Sequence, residues 1–203
     1  MKLDNLLPIE KRQFQAANVR INWVDLFEPR VPQNSDSGNA RYGVTMMLNT
    51  STHAKLIKQI RKVLGHIAEN VLEMELGEIE YSKLPLKKPR KKDIEKQPAY
   101  EDHMLLPAYS PAAKPVQVVD GNMKTLLKGS PVPYSGCVCN VAFEFYVSKN
   151  QPDAIYCSLN AVQFVEEGDS LGGGQKPKAE DLFKKIAPED DDFDEDEDED
   201  DDL

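Results

Sequence analysis

SGCVCNVAFEFYVSK, residues 135–149, alternates throughout its length. Cys137, Cys139, Val141, Phe143, Phe145 and Val147 fall on one face, and Asn140, Glu144, Tyr146 and Ser148 on the other. A period of two carried by β-branched and aromatic residues marks a half-buried strand. After the turn-like KNQPD (149–153) comes AIYCSLNAVQFVEEG (154–168), so the two runs are expected to pair as an antiparallel hairpin.

The same period appears earlier in the chain. In NVRINWVDLF (18–27), Val19, Ile21 and Trp23 point one way and Arg20 and Asn22 the other. EPRVPQNSDSGNAR (28–41), with two prolines and small polar residues, reads as a loop. RYGVTMMLN (41–49) resumes as a strand with Tyr42, Val44, Met46 and Leu48 on one face. The spacing then becomes helical. Leu56, Ile57, Ile60, Leu64, Ile67 and Val71 form an apolar stripe over about five turns, with Thr50, Ser51 or Thr52 as N-cap. KLPLKKPRKK (83–92) holds six cations, no acid and two prolines, which predicts a loop. AYEDHMLLPAYS (99–110) and PVQVVD (115–120) read as short strands broken by proline.

Several antiparallel strands, one long amphipathic helix and long loops make a mainly β chain, consistent with a small barrel. The OB-fold is such a barrel and commonly binds single strands, but periodicity alone does not select it over another barrel or a sandwich. The expected organisation is a body over 1–168, a flexible linker with a possible short helix over 169–188, and a disordered acidic tail over 189–203.

Charge separates these parts. Of 35 acids, 13 lie in residues 189–203, and the preceding residues set 25 Lys and Arg against the remaining 22, a balance of +3. An acidic whole chain therefore does not exclude contact with a polyanion. No apolar run approaches the ~20 residues of a membrane span, and residues 1–14 lack the apolar core of a signal peptide. Cys137, Cys139 and Cys157 sit inside apolar runs and are expected to be reduced, buried thiols. A tetrahedral metal site needs ligands beyond Cys137 and Cys139 that the sequence does not supply, and no cofactor motif is present. Glu101, Asp102 and His103 form the one compact polar trio, as in a metal-dependent nuclease, but neighbours on a strand point to opposite faces.

Binding of unpaired nucleic acid needs cations along phosphates and aromatic faces for bases. The candidates are Arg20, Arg30 and Arg41 with Trp23 and Tyr42; Lys83, Lys87, Lys88, Arg90, Lys91 and Lys92 with Tyr100 and Tyr109; and Tyr146 with Lys149. Trp23 and Tyr42 share faces with apolar residues, so core packing is an equal reading for them. Tyr146 lies on a polar face, which favours stacking. The acidic stretch offers Glu189, Asp190, Phe193, Asp202 and Leu203 to a basic partner or to the chain's own groove. The competing reading is an interaction scaffold that recruits basic partners through this tail, without physiological DNA binding.

VRINWVDLFEP (19–29), RYGVTMML (41–48), PYSGCVCNVAFEFY (133–146) and LNAVQFVEEGDSLGGG (159–174) together resemble the single-stranded-DNA-binding proteins of tailed bacteriophages. The resemblance implies one OB-fold with an acidic C-terminal tail. It implies a non-enzymatic accessory of phage replication, recombination and repair, acting in the cytoplasm of the infected bacterial host. Such a protein coats single strands, holds duplex more weakly, and meets replication or recombination proteins through its tail. The terminal residue here is Leu203, with Phe193 ten residues earlier, so a terminal aromatic anchor is not implied.

Overall fold

The computed structural model describes residues 3–32 and 38–171. The acidic stretch, the predicted helix at 179–187 and most of the predicted linker lie outside the described residues, as do Glu189, Asp190, Phe193, Asp202 and Leu203.

Five strands close into an OB-like barrel: β1 (Gln13–Arg30), β2 (Arg41–Asn49), β3 (His103–Pro111), β5 (Val138–Val147) and β6 (Ile155–Glu166). Their order is β3-β2-β1-β5-β6, and a parallel contact of Tyr109 with Ser158 closes the ring. A short strand, β4 (Gln117–Val119), adds in parallel to β6. The hairpin read from residues 135–168 is present, with Phe143 opposite Leu159 and Tyr146 opposite Tyr156. Alternation sets its inner face: Cys139, Val141, Phe143 and Phe145 are fully buried. Phe14 and Phe143 stack at 5.6 Å and Phe145 meets both rings edge-on, so one aromatic cluster joins β1 to β5.

β1 is longer than the alternating run 18–27, and it serves two partners. Its first part pairs with β5 and its second with β2, with Arg20 opposite both Val138 and Met47. Two bulges make that change of partner possible. Asn18 and Trp23 adopt φ of +52°, and the register shifts at each place. A bulge adds a residue and bends the strand, so the alternation that placed Trp23 beside Val19 and Ile21 fails at Trp23.

A single turn, α1 (Ile9–Arg12), precedes β1, and α2 (Ala54–Ile67) buries Ile57, Ile60, Leu64 and Ile67 against the barrel. A wider turn, Ala68–Leu72, extends it and buries Ala68 and Val71. The expected hydroxyl cap is not used. His53 takes the cap position without a side-chain capping bond, and the Asn49 Oδ1 accepts from the Ser51 and Thr52 N–H groups instead.

Two prolines did not break β3. Leu105 exchanges both backbone bonds with Lys87, on the edge away from β2. Backbone groups alternate in direction along a strand, so Pro107 points its nitrogen to that same edge and removes no bond to β2. The basic loop is likewise shorter than expected, because Lys91 and Lys92 open a short helix, α3 (Lys91–Lys96). The Asp93 carboxylate accepts from the Arg90 N–H and guanidinium, which offsets the cations at the helix start.

The body runs past residue 168. Leu171 donates its N–H to the Ser135 carbonyl, and Gly136, at φ +121°, lies so close to Asp169 that a Cβ would sit 2.1 Å from its carbonyl oxygen.

Burial holds the Cys139 thiol in its neutral form, its pKa pushed up from 9.0 to about 12. Below pH 9.0 both folded and unfolded chains keep this proton; above it only the unfolded chain releases it, so stability falls as pH climbs from 9.0 toward about 12. Urea unfolding at stepped alkaline pH should show that decline, and Cys139→Ala should make it shallower without removing it, because burial also pushes up the Cys157 and Cys137 thiols.

Candidate nucleic-acid interface

The bulge at Trp23 decides where its ring goes. The Asn22 Oδ1 accepts the Trp23 N–H at 2.7 Å, and its Nδ2 donates to the Tyr100 hydroxyl at 2.8 Å. The Trp23 indole Nε1 donates to the same hydroxyl at 3.0 Å. One end of the indole is thereby pinned while the ring is 70% exposed. A tryptophan ring held in place yet left in water is a stacking platform with little rotamer entropy left to lose.

A second group forms two strands away. Tyr109, on β3, stands opposite Gly43 of β2, and its ring lies over that glycine. The Arg41 guanidinium sits 3.6 Å from the centre of the Tyr109 ring. The Arg41 Nε is buried without a hydrogen-bond partner. On the adjoining hairpin, Tyr146 and Tyr156 stack at 5.4 Å. Burial pushes the Tyr146 hydroxyl up, while the Arg41 charge reaches it and pulls the other way. The outward row around the barrel thus runs Asp25, Gly43, Tyr109, Ser158, with Arg41 and the tyrosine pair beside it.

Acids temper the cations. Lys83 donates to Asp153 at 2.6 Å, which raises its affinity for its proton and lowers that of Asp153. Arg90 is held by both carboxylate oxygens of Asp93. Arg30 pairs with Asp25 at 3.0 Å, and burial pushes the Asp25 carboxyl up against that pull. Lys87 is half-buried over the Tyr81 ring, and burial, then the Arg90 charge, push its pKa down. Lys88, Lys91, Lys92 and Lys149 are exposed and have no ion pair among the described residues.

Three sequence candidates stand elsewhere. Tyr100 is buried beneath Trp23, so it supports that ring and offers no face of its own. Tyr42 is buried too, as its shared face with Val44 and Met46 allowed. Arg20 spends its guanidinium on the Gly136 and Asp169 carbonyls, at 3.3 and 2.6 Å, and ties the end of the body to β1. Glu101, Asp102 and His103 do not converge: Asp102 turns the chain at φ +57°, and the His103 Nδ1 meets the Glu101 carbonyl. Sequence reading missed Tyr156, although the hairpin register sets it opposite Tyr146, and Gly43, although a glycine within a strand signals a close neighbour. It also missed Tyr81, two residues ahead of the basic run.

The family model for the single-stranded-DNA-binding protein of Enterobacter phage Enc34 matches residues 13–201. The chain belongs to that family. Its fold is similar to the single-stranded DNA-binding protein from bacteriophage Enc34 in complex with ssDNA, with a TM-score of 0.67 and 19% identity over 85% of this chain and 96% of that one. Another structure of the Enc34 protein gives a TM-score of 0.66 at 17% identity, covering 90% of this chain and 97% of that one. Bacteriophage T7 gp2.5, a single-stranded DNA binding protein, gives a TM-score of 0.54 at 15% identity, covering 87% of this chain and 98% of that one. No curated protein matches the sequence.

A Cβ at position 43 would lie 2.7 Å from the Tyr109 ring. Gly43→Ala should therefore displace that ring and cost about 1–3 kcal/mol. In a double-mutant cycle read by urea unfolding, Tyr109→Ala should abolish most of that cost.

Proposed function

We propose that the chain binds single-stranded DNA without reading its sequence, in phage DNA replication, recombination and repair. The observation that carries this reading is the set of outward aromatics, Trp23, Tyr109 under Arg41, and the Tyr146–Tyr156 pair. Membership of the Enc34 family supports it. Bases stack on the open faces of Trp23 and the tyrosine pair, each worth about 1–3 kcal/mol and open to any base, while Tyr109 holds the Arg41 guanidinium plane beside them. Lys88, Lys91, Lys92 and Lys149 meet phosphates, which gives affinity that salt weakens. Duplex, whose bases are already stacked, keeps only the phosphate part and binds more weakly. The chain performs no catalysis and acts in the cytoplasm of the infected host.

Trp23 is the single tryptophan, so its emission reports the site directly. Oligo-dT should quench it. Trp23→Ala and Tyr146→Ala should each weaken oligo-dT binding by about fivefold to a hundredfold. Replacing Lys88, Lys91 and Lys92 with Gln should flatten the plot of log affinity against log salt by roughly two, at ~0.7 per phosphate contact on single strands. Affinity indifferent to salt would refute the reading.

The acidic stretch acts on the same groove. A tethered polyanion reaches an effective concentration of about millimolar near its own body, enough to displace weak ligands and too little to displace tight ones. DNA frees it for basic surfaces on replication or recombination proteins, with Phe193 and Leu203 as its apolar residues. Removing residues 189–203 should raise affinity for single and double strands, and for duplex by the larger factor, in matched titrations at low salt. A shortened chain that binds no oligonucleotide would instead leave the body as a scaffold.

A further inference from the structure

α2 carries Lys55, Lys58, Arg61 and Lys62, and no acid interrupts them before Glu69. All four are exposed, and among the described residues none has an acid partner. That contrasts with Arg30, Lys83, Arg90 and Lys128, each of which meets a carboxylate. Beside this row lies a groove of about 520 Å³. Ala54, Ile57 and Met104 give it an apolar wall, and Lys58, Arg61 and Lys62 a cationic one.

We propose that this groove docks an acidic peptide segment of a partner protein, with one aromatic or apolar side chain seated between α2 and Met104 and carboxylates on the three cations. Two features favour a peptide over a further stretch of nucleic acid. The groove holds no aromatic ring, so a base has nothing to stack on. Its apolar wall beside one sign of charge matches an apolar anchor flanked by acids. Position separates it from the aromatic surface. Met104 is five residues before Tyr109 on β3, about 17 Å at the rise of a strand, so both surfaces can be filled at once.

The test uses the full chain and, because its own acids around Phe193 compete with an acidic probe, the chain lacking residues 189–203, with two fluorescent probes: oligo-dT, and a short synthetic peptide of Asp and Glu around one central Phe. Anisotropy should show the peptide bound. Replacing Lys58, Arg61 and Lys62 together by Glu should weaken peptide binding by about tenfold or more and leave oligo-dT affinity within about twofold, since stacking lies elsewhere. The same three positions changed to Gln should give a smaller loss in the same direction, and far-UV circular dichroism checks that each variant is folded. A peptide with Ala in place of Phe should bind about tenfold less tightly. The proposal is overturned if the peptide fails to bind, if the Ala peptide binds equally, or if changing Lys88, Lys91 and Lys92 to Glu weakens the peptide as much. A parallel loss of oligo-dT binding in the α2 variants would assign the helix to the nucleic-acid path and overturn it as well.

Discussion

The barrel depends on one strand being able to leave one neighbour for another. β1 pairs with β5 up to Arg20 and with β2 from Arg20 onward. A straight strand of 18 residues spans about 60 Å and would carry its ladder past the end of both partners. The bulges at Asn18 and Trp23 bend it, so that the strand order can come round to the Tyr109–Ser158 contact. The Arg20 guanidinium then fastens the chain after β6 across the same crossover, through the Asp169 carbonyl. Closing the barrel and placing Trp23 outside it are thus one event in the backbone.

That coupling explains why some of the site was legible in the sequence and some was not. The β5–β6 hairpin is uninterrupted alternation, and alternation alone placed Phe143 and Phe145 inward and Tyr146 outward. The α2 stripe was readable for the same reason, since Ile57, Ile60, Leu64 and Ile67 keep helical phase. Trp23 was not, because one residue at φ +52° breaks the alternation of faces along the strand, and no residue type there announces it. Asparagine tolerates positive φ and marks the first bulge at Asn18; tryptophan rarely adopts it.

Burial on both sides of a strand is a second effect that periodicity underestimates. β2 buries Met46 and Met47 alike. The excursion between α2 and β3 meets β1, where its Tyr100 hydroxyl accepts from Asn22 and Trp23. That contact accounts for the loss of Tyr100 as a stacking face. What it leaves uncovered is the aromatic surface on which the functional reading rests.

Charge behaves in a similar way, because clustering in sequence is a poor measure of a free field in space. The run 83–92 stands out by its six cations, yet Lys83 and Arg90 are held by carboxylates and Lys87 is half-sunk over Tyr81. The cations of α2 are spread at helical spacing and look like an ordinary solvated face. In space they form a single-signed row beside an apolar wall, and among the described residues no acid forms an ion pair with it. A chain whose residues 1–188 have a formal balance of only +3 therefore presents two distinct positive surfaces, one interleaved with aromatic rings and one without them. Aromatic content, more than charge count, is what separates a surface suited to bases from one suited to an acidic chain.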